Sequence, residues 1–206
     1  MTFRLIPTLA AMLSGLLILL GSQANALPVT YTFEATASGE LGATGFSDAA
    51  LNFTLTADTD DVQEQIINFM GTDFTIFTNV AVGAFVDIAG LGSFTIADTL
   101  TVFSNITADV IGLTRLDFDV IDIDSPGLTY DLRTSFGPIS QADPFFFEFD
   151  VLGTAGGELS LTDLVNASFQ AVVQNTGGTS VPEPATAMLL VAGLAGLGWA
   201  RRRPTG

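Results

Sequence analysis

The chain has 206 residues, enough for one ordinary domain with targeting segments at its ends. It carries 22 acidic residues and six Arg but no Lys, His or Cys, which excludes thiol, imidazole and Schiff-base chemistry and any disulfide. Between residues 27 and 180, 21 acidic residues face only Arg115 and Arg133, a balance of −19 that repels nucleic acid and anionic lipid.

Residues 1–26 have the three parts of a secretory signal peptide. Arg4 supplies the positive start, residues 5–20 the apolar stretch, and Ala24-Asn25-Ala26 the small-x-small cleavage pattern. Cleavage after Ala26 leaves Leu27 as the mature N-terminus, and cleavage after Ala24 is the rival. Such a segment passes through the Sec translocon and is removed by signal peptidase.

From Val29 onward the dominant hydrophobic period is two. Val29, Tyr31, Phe33 and Ala35 alternate with Thr30, Thr32, Glu34 and Thr36, and Leu51, Phe53, Leu55 and Ala57 repeat the pattern. It returns at Leu128, Tyr130 and Leu132, at Phe145, Phe147, Phe149 and Val151, and at Phe169, Ala171 and Val173. Gly, Asp, Asn or Pro bounds each run, as strands require. Residues 74–88, 91–96 and 100–103 are near-continuous apolar segments and read as central strands covered on both faces. Only residues 60–69 and 159–166 are suited to a helical turn. The expected body is all-β, a single antiparallel β-sandwich-like domain over residues 27–174. A signal helix precedes it, and a flexible linker at residues 175–180 follows.

The acidic run from Leu116 to Asp124 is the candidate site in the body. Asp117 and Asp119 share one strand parity and Asp122 and Asp124 the other, so a bulge near Val120-Ile121 is needed to put all four on one face. That bulge would keep Leu116, Phe118, Val120, Ile121 and Ile123 inward. The face can be a solvated acidic surface, or a calcium site built from Asp117, Asp119, Asp122 and Asp124. Asp122 also opens like a calcium loop, but Pro126 and Arg133 stand where ligands belong. Asp58, Asp60 and Asp61 form a second, weaker cluster. Carboxylate pairs alone can hydrolyse glycosides, but Trp199 is the single Trp and lies in the tail, leaving few stacking aromatics for a sugar cleft. The Phe145-Phe146-Phe147 cluster reads as core. An enzyme is not expected, and no cofactor other than calcium is indicated.

The tail has three parts in order: Val181-Pro182-Glu183-Pro184, an apolar run over residues 185–200, and Arg201-Arg202-Arg203. Sixteen residues span about 24 Å as a helix, short of the roughly 20 residues of an ordinary membrane span. Gly193, Gly196 and Gly198 suit close packing with another membrane helix, and the Arg cluster holds the C-terminus in the cytoplasm. Pro182 and Pro184 keep the backbone extended around Glu183. These residues resemble a PEP-CTERM sorting signal over residues 181–203. The resemblance implies recognition by exosortase, a membrane transpeptidase that cleaves near the Pro-Glu-Pro motif. It also implies a transient inner-membrane anchor, then a bacterial cell-surface or extracellular-matrix destination associated with exopolysaccharide. It covers none of the body, for which a calcium- or glycan-binding module is the alternative role.

Overall fold

In the computed structural model, residues 26–116, 118–148 and 151–174 are described. The signal helix, the linker and the C-terminal membrane helix expected from the sequence lie outside them. Among the described residues no helix is long and apolar enough to cross a membrane.

The body is two antiparallel sheets. β1 (Pro28–Leu41) and β2 (Thr44–Asp58) form a long hairpin in which Val29, Tyr31 and Phe33 stand opposite Ala57, Leu55 and Phe53. All six are buried, which is what their period-two spacing requires of one covered face. β12 (Gly157–Val173) pairs with the other side of β1, placing Phe169 opposite Phe33 with ring centroids 4.8 Å apart. The first sheet is completed by β5 (Gly83–Ile88), β6 (Gly92–Thr95), β10 (Phe136–Gln141) and β11 (Val151–Thr154). Its order is β10-β12-β1-β2-β5-β6, with β11 also on β12. The second sheet contains β3 (Gln63–Phe69), β4 (Thr72–Val80), β7 (Leu100–Asn105), β8 (Val110–Arg115) and β9 (Phe118–Asp124), in the order β3-β4-β7-β8-β9. Leu100, Val102, Ile111, Leu113, Ile121 and Ile123 point from it into the shared core. Each fully buried side chain of this size contributes roughly 1.5–3 kcal/mol against exposure.

Several expectations change. The middle strands are covered on one face only: β5 and β7 alternate buried with partly exposed or exposed residues. In place of a helical turn over residues 60–69 there is a short 3₁₀ turn at Thr59–Asp61, ended by Val62, and then β3. Residues 159–166 lie within β12. Leu128, Tyr130 and Leu132 are buried as their spacing predicts, but in a connection rather than a strand. The Phe145 cluster is one residue out of phase. Phe146 packs against the core while Phe145 and Phe147 are exposed, because the backbone of Phe145 bonds to Asp122 and so sets the parity of the segment. Leu116 and Phe118, expected inward, are exposed at the end of the β8–β9 hairpin, where Leu116 takes a φ of 55° and Phe118 packs on Phe147.

The connection from β9 to β10 runs between the sheets and is held there by polar groups. Tyr31 on β1 donates its hydroxyl to the Leu132 carbonyl at 2.9 Å and accepts from Asn79 Nδ2 on β4, also at 2.9 Å. Asn79 donates to the Asp58 carbonyl as well, at 3.0 Å. From β7, Ser104 Oγ donates to the Tyr130 carbonyl at 2.7 Å. Arg133 clamps the exit: its guanidinium donates to the Val62 carbonyl at 3.1 Å and lies 5.8 Å from the Phe77 ring centroid. Burial raises the Tyr31 hydroxyl pKa to about 12, so it is protonated and able to donate at neutral pH. Tyr31→Phe leaves the Leu132 carbonyl without this donor, at an expected cost of about 1–3 kcal/mol. Urea unfolding should show the midpoint falling with an unchanged slope; an unaltered midpoint would mean that this contact contributes nothing net.

Candidate functional site

The acidic strand is organised by one extra residue. Leu113 pairs with Ile121 but Thr114 pairs with Asp119, so Val120 is the bulge that the parity of the Asp residues demanded. Val120 and Ile121 are both buried, and Asp119, Asp122 and Asp124 therefore share the outer face of the second sheet. Asp117 lies outside the described residues. Asp124 is occupied locally: its backbone N–H donates to Gln141 Oε1 at 2.7 Å, and Gln141 Nε2 donates back to Asp124 Oδ2 at 3.0 Å. Among the described residues no group of three or more acidic side chains is placed to hold a metal ion. In the second cluster, Asp58 Oδ1 accepts from the Asp60 N–H at 3.0 Å and caps the 3₁₀ turn, a structural use of that carboxylate.

Asp119 and Asp122 do meet in one place, an open hollow of about 430 Å³ on the outer face. Its apolar lining comes from Ile67 on β3, Ile76 on β4, Phe103 on β7 and Val110 on β8. Gln65, Thr78, Asn105 and Thr114 supply amides and hydroxyls, and the two carboxyls close the β9 end. Gly112, opposite Asp122 in the ladder, makes the shape possible. A Cβ there would collide with Asp122 Oδ1, with the Phe103 ring and with the Ile121 carbonyl oxygen. A glycine inside the apolar run Val110-Ile111-Gly112-Leu113 was the sequence signal for this close approach. The other lining residues come from four strands distant in sequence, and no local pattern joins them.

Asp122 is the strained member. Its Oδ1 is shielded and has no hydrogen-bond partner among the described residues. Burial, followed by the charges of Asp119 and Asp124, raises its pKa from 3.8 to about 7. Asp119 is raised as well, by burial. A carboxyl with a folded pKa above its unfolded value binds its proton more tightly in the folded state. Stability from this group is therefore greatest at low pH and is lost as pH climbs from about 4 to about 7. Removing the charge with Asp122→Asn should flatten that decline. Melting curves from pH 4 to 8 should then show the variant gaining on the parent as pH rises; parallel curves would contradict the assignment.

Comparison with known proteins finds one family. Residues 180–203 match the PEP-CTERM protein-sorting motif, covering Pro182, Glu183, Pro184, the apolar run and Arg201, Arg202 and Arg203. The tail is thus a PEP-CTERM sorting signal, which implies an exported protein sorted at the membrane by exosortase. No curated protein and no solved structure matches the chain. The matched residues, like the cleavage residue Ala24, lie outside the described part, whereas Ala26 is its first residue.

Proposed function

We propose that the chain is a non-enzymatic cell-surface or extracellular-matrix protein whose acidic β-sandwich is the delivered cargo. The observation that carries this reading is the sorting motif at residues 180–203. In it, signal peptidase removes residues 1–26, and the apolar run holds the C-terminus in the inner membrane with Arg201, Arg202 and Arg203 on the cytoplasmic side. An exosortase-type transpeptidase then recognises Pro182, Glu183 and Pro184, cuts nearby and releases the body outward. The two prolines favour this, since they keep the chain extended and free of helix where the enzyme must reach the backbone.

The body fits a role in a hydrated exterior. Its acidic surface keeps copies apart and soluble. The absence of Cys, His and Lys leaves no ordinary nucleophile with a matched base. Glu183→Ala should leave the protein in the membrane fraction with its tail attached, while the parent is recovered outside the cell. Fractionation with an antibody against the body tests this, and release of the variant equal to the parent would remove the motif from the account.

A further inference from the structure

The hollow on the outer face of the second sheet has walls of two kinds. Asp122, Gly112, Phe103 and Thr78 form one row across β9, β8, β7 and β4, each directly opposite the next. Gly112 leaves the second position of that row bare, so the Asp122 carboxyl and the Phe103 ring both lie over the same stretch of backbone. In the next row Val110 and Ile76 flank Asn105 and extend the apolar floor. One end of the hollow is therefore acidic and the rest of its floor is hydrocarbon.

These walls fix the sign of an occupant. Asp119 and Asp122 supply the charge, and neither Arg115 nor Arg133 is among the lining residues. Arg115 lies 3.7 Å from Asp98 and Arg133 lies 3.9 Å from Asp131. Asp122 Oδ1 has no hydrogen-bond partner among the described residues. Two of the other polar groups are already committed. Thr114 Oγ1 donates to the Phe118 carbonyl at 2.7 Å, and Asn105 Oδ1 accepts the N–H groups of Thr107 and Ala108. What is left unmet is a demand for positive charge and N–H donors at the β9 end, beside aliphatic and aromatic surface. A metal ion does not meet it, because Phe103, Ile76 and Val110 have no oxygen to offer and two carboxyls are fewer ligands than a hard cation collects.

We propose that the hollow is a binding site for a small primary alkylammonium ion, with its N–H groups on Asp119 and Asp122 and its aliphatic stem on Phe103, Val110 and Ile76. β9 and β7 are two strand spacings apart, about 10 Å, so a stem of about four to six carbons passes from the carboxyls over Gly112 to the Phe103 ring. Charge complementarity selects this occupant. A body of −19 gathers cations at its surface, and inside the hollow the attraction acts at a lower dielectric than in open water. The aromatic ring beside the carboxyl favours a cation as well. A quaternary ammonium fits less well, since it brings no N–H to the carboxyl oxygens. The site belongs to the body and does not depend on how the tail is processed.

The test is an NMR titration of residues 27–174, which hold the whole core and every strand pairing described. The probe is n-hexylammonium in about 0.15 M salt, which screens diffuse attraction to the acidic surface. The titration is run at about pH 8, above the point near 7 at which Asp122 sheds its proton. Saturable shifts should gather at Ile76, Phe103 and Val110, with Kd of roughly 1 mM or below. Asp119→Asn and Asp122→Asn should each weaken binding by about tenfold. Hexanol, with the same stem and no charge, should bind at least about tenfold more weakly than the amine. Nα-acetyl-lysine methylamide presents the same ammonium as a protein side chain does, and the tighter of the two amines names the source. Shifts that spread over the carboxylate faces without saturating mean counter-ion attraction only and overturn the proposal. So does hexanol binding as tightly as hexylammonium, or binding that both Asn variants leave unchanged.

Discussion

The structure depends on keeping a connection buried between its two sheets. A segment with free backbone carbonyls would ordinarily be excluded from a core, since each unpaired polar group costs of the order of 1–3 kcal/mol. Here the Tyr31 hydroxyl and the Ser104 hydroxyl, one from each sheet, reach the carbonyls of Leu132 and Tyr130. Asn79 orients Tyr31 from the opposite sheet and ties both to the end of β2 at Asp58. With those bonds made, Leu128, Tyr130 and Leu132 fill the interior as a strand would, and Tyr130 stacks on Phe136 at 4.5 Å. The two sheets are therefore linked through a shared polar node as well as by apolar contact.

The second constraint is charge. A body of −19 can fold only if its carboxylates stay solvated, and most do so on outer faces, turns and strand ends. Among the described residues Asp122 departs furthest from this, with Asp119 beside it. The bulge at Val120 that rescues its neighbours from the core also lays Asp122 across Gly112, where burial and two nearby carboxylates hold its proton near neutral pH. The same crowding hollows the outer face of the second sheet, so the hollow and the raised pKa of Asp122 have a common cause.

Much of this was legible in the residues, for reasons that differ along the chain. β1 and the second part of β2 declare themselves because one face is buried in strict alternation, and a one-residue slip would expose Tyr31, Phe33, Phe53 and Leu55 together. The bulge was legible because the Asp spacing changes parity within one strand. β3 was not, since a strand exposed on both faces has no period, and Gln-Glu-Gln-Ile-Ile after two Asp looks like a helix start. The phase of Phe145, Phe146 and Phe147 is set by a backbone pairing with Asp122 in another element, which no local pattern encodes. The hollow depends on which strands are neighbours, and sequence order hides that: β4 sits beside β7, not β5.

Delivery and cargo are separable in this chain. The sorting tail is read from a short linear pattern at residues 180–203. The body is read from its packing. The most direct measurement of the account is the intact mass of the mature protein recovered from producing cells. It should correspond to a chain that begins at Leu27 and ends near Pro182-Glu183-Pro184, with any group added by transpeptidation. A mass that retains Arg201, Arg202 and Arg203 would contradict it.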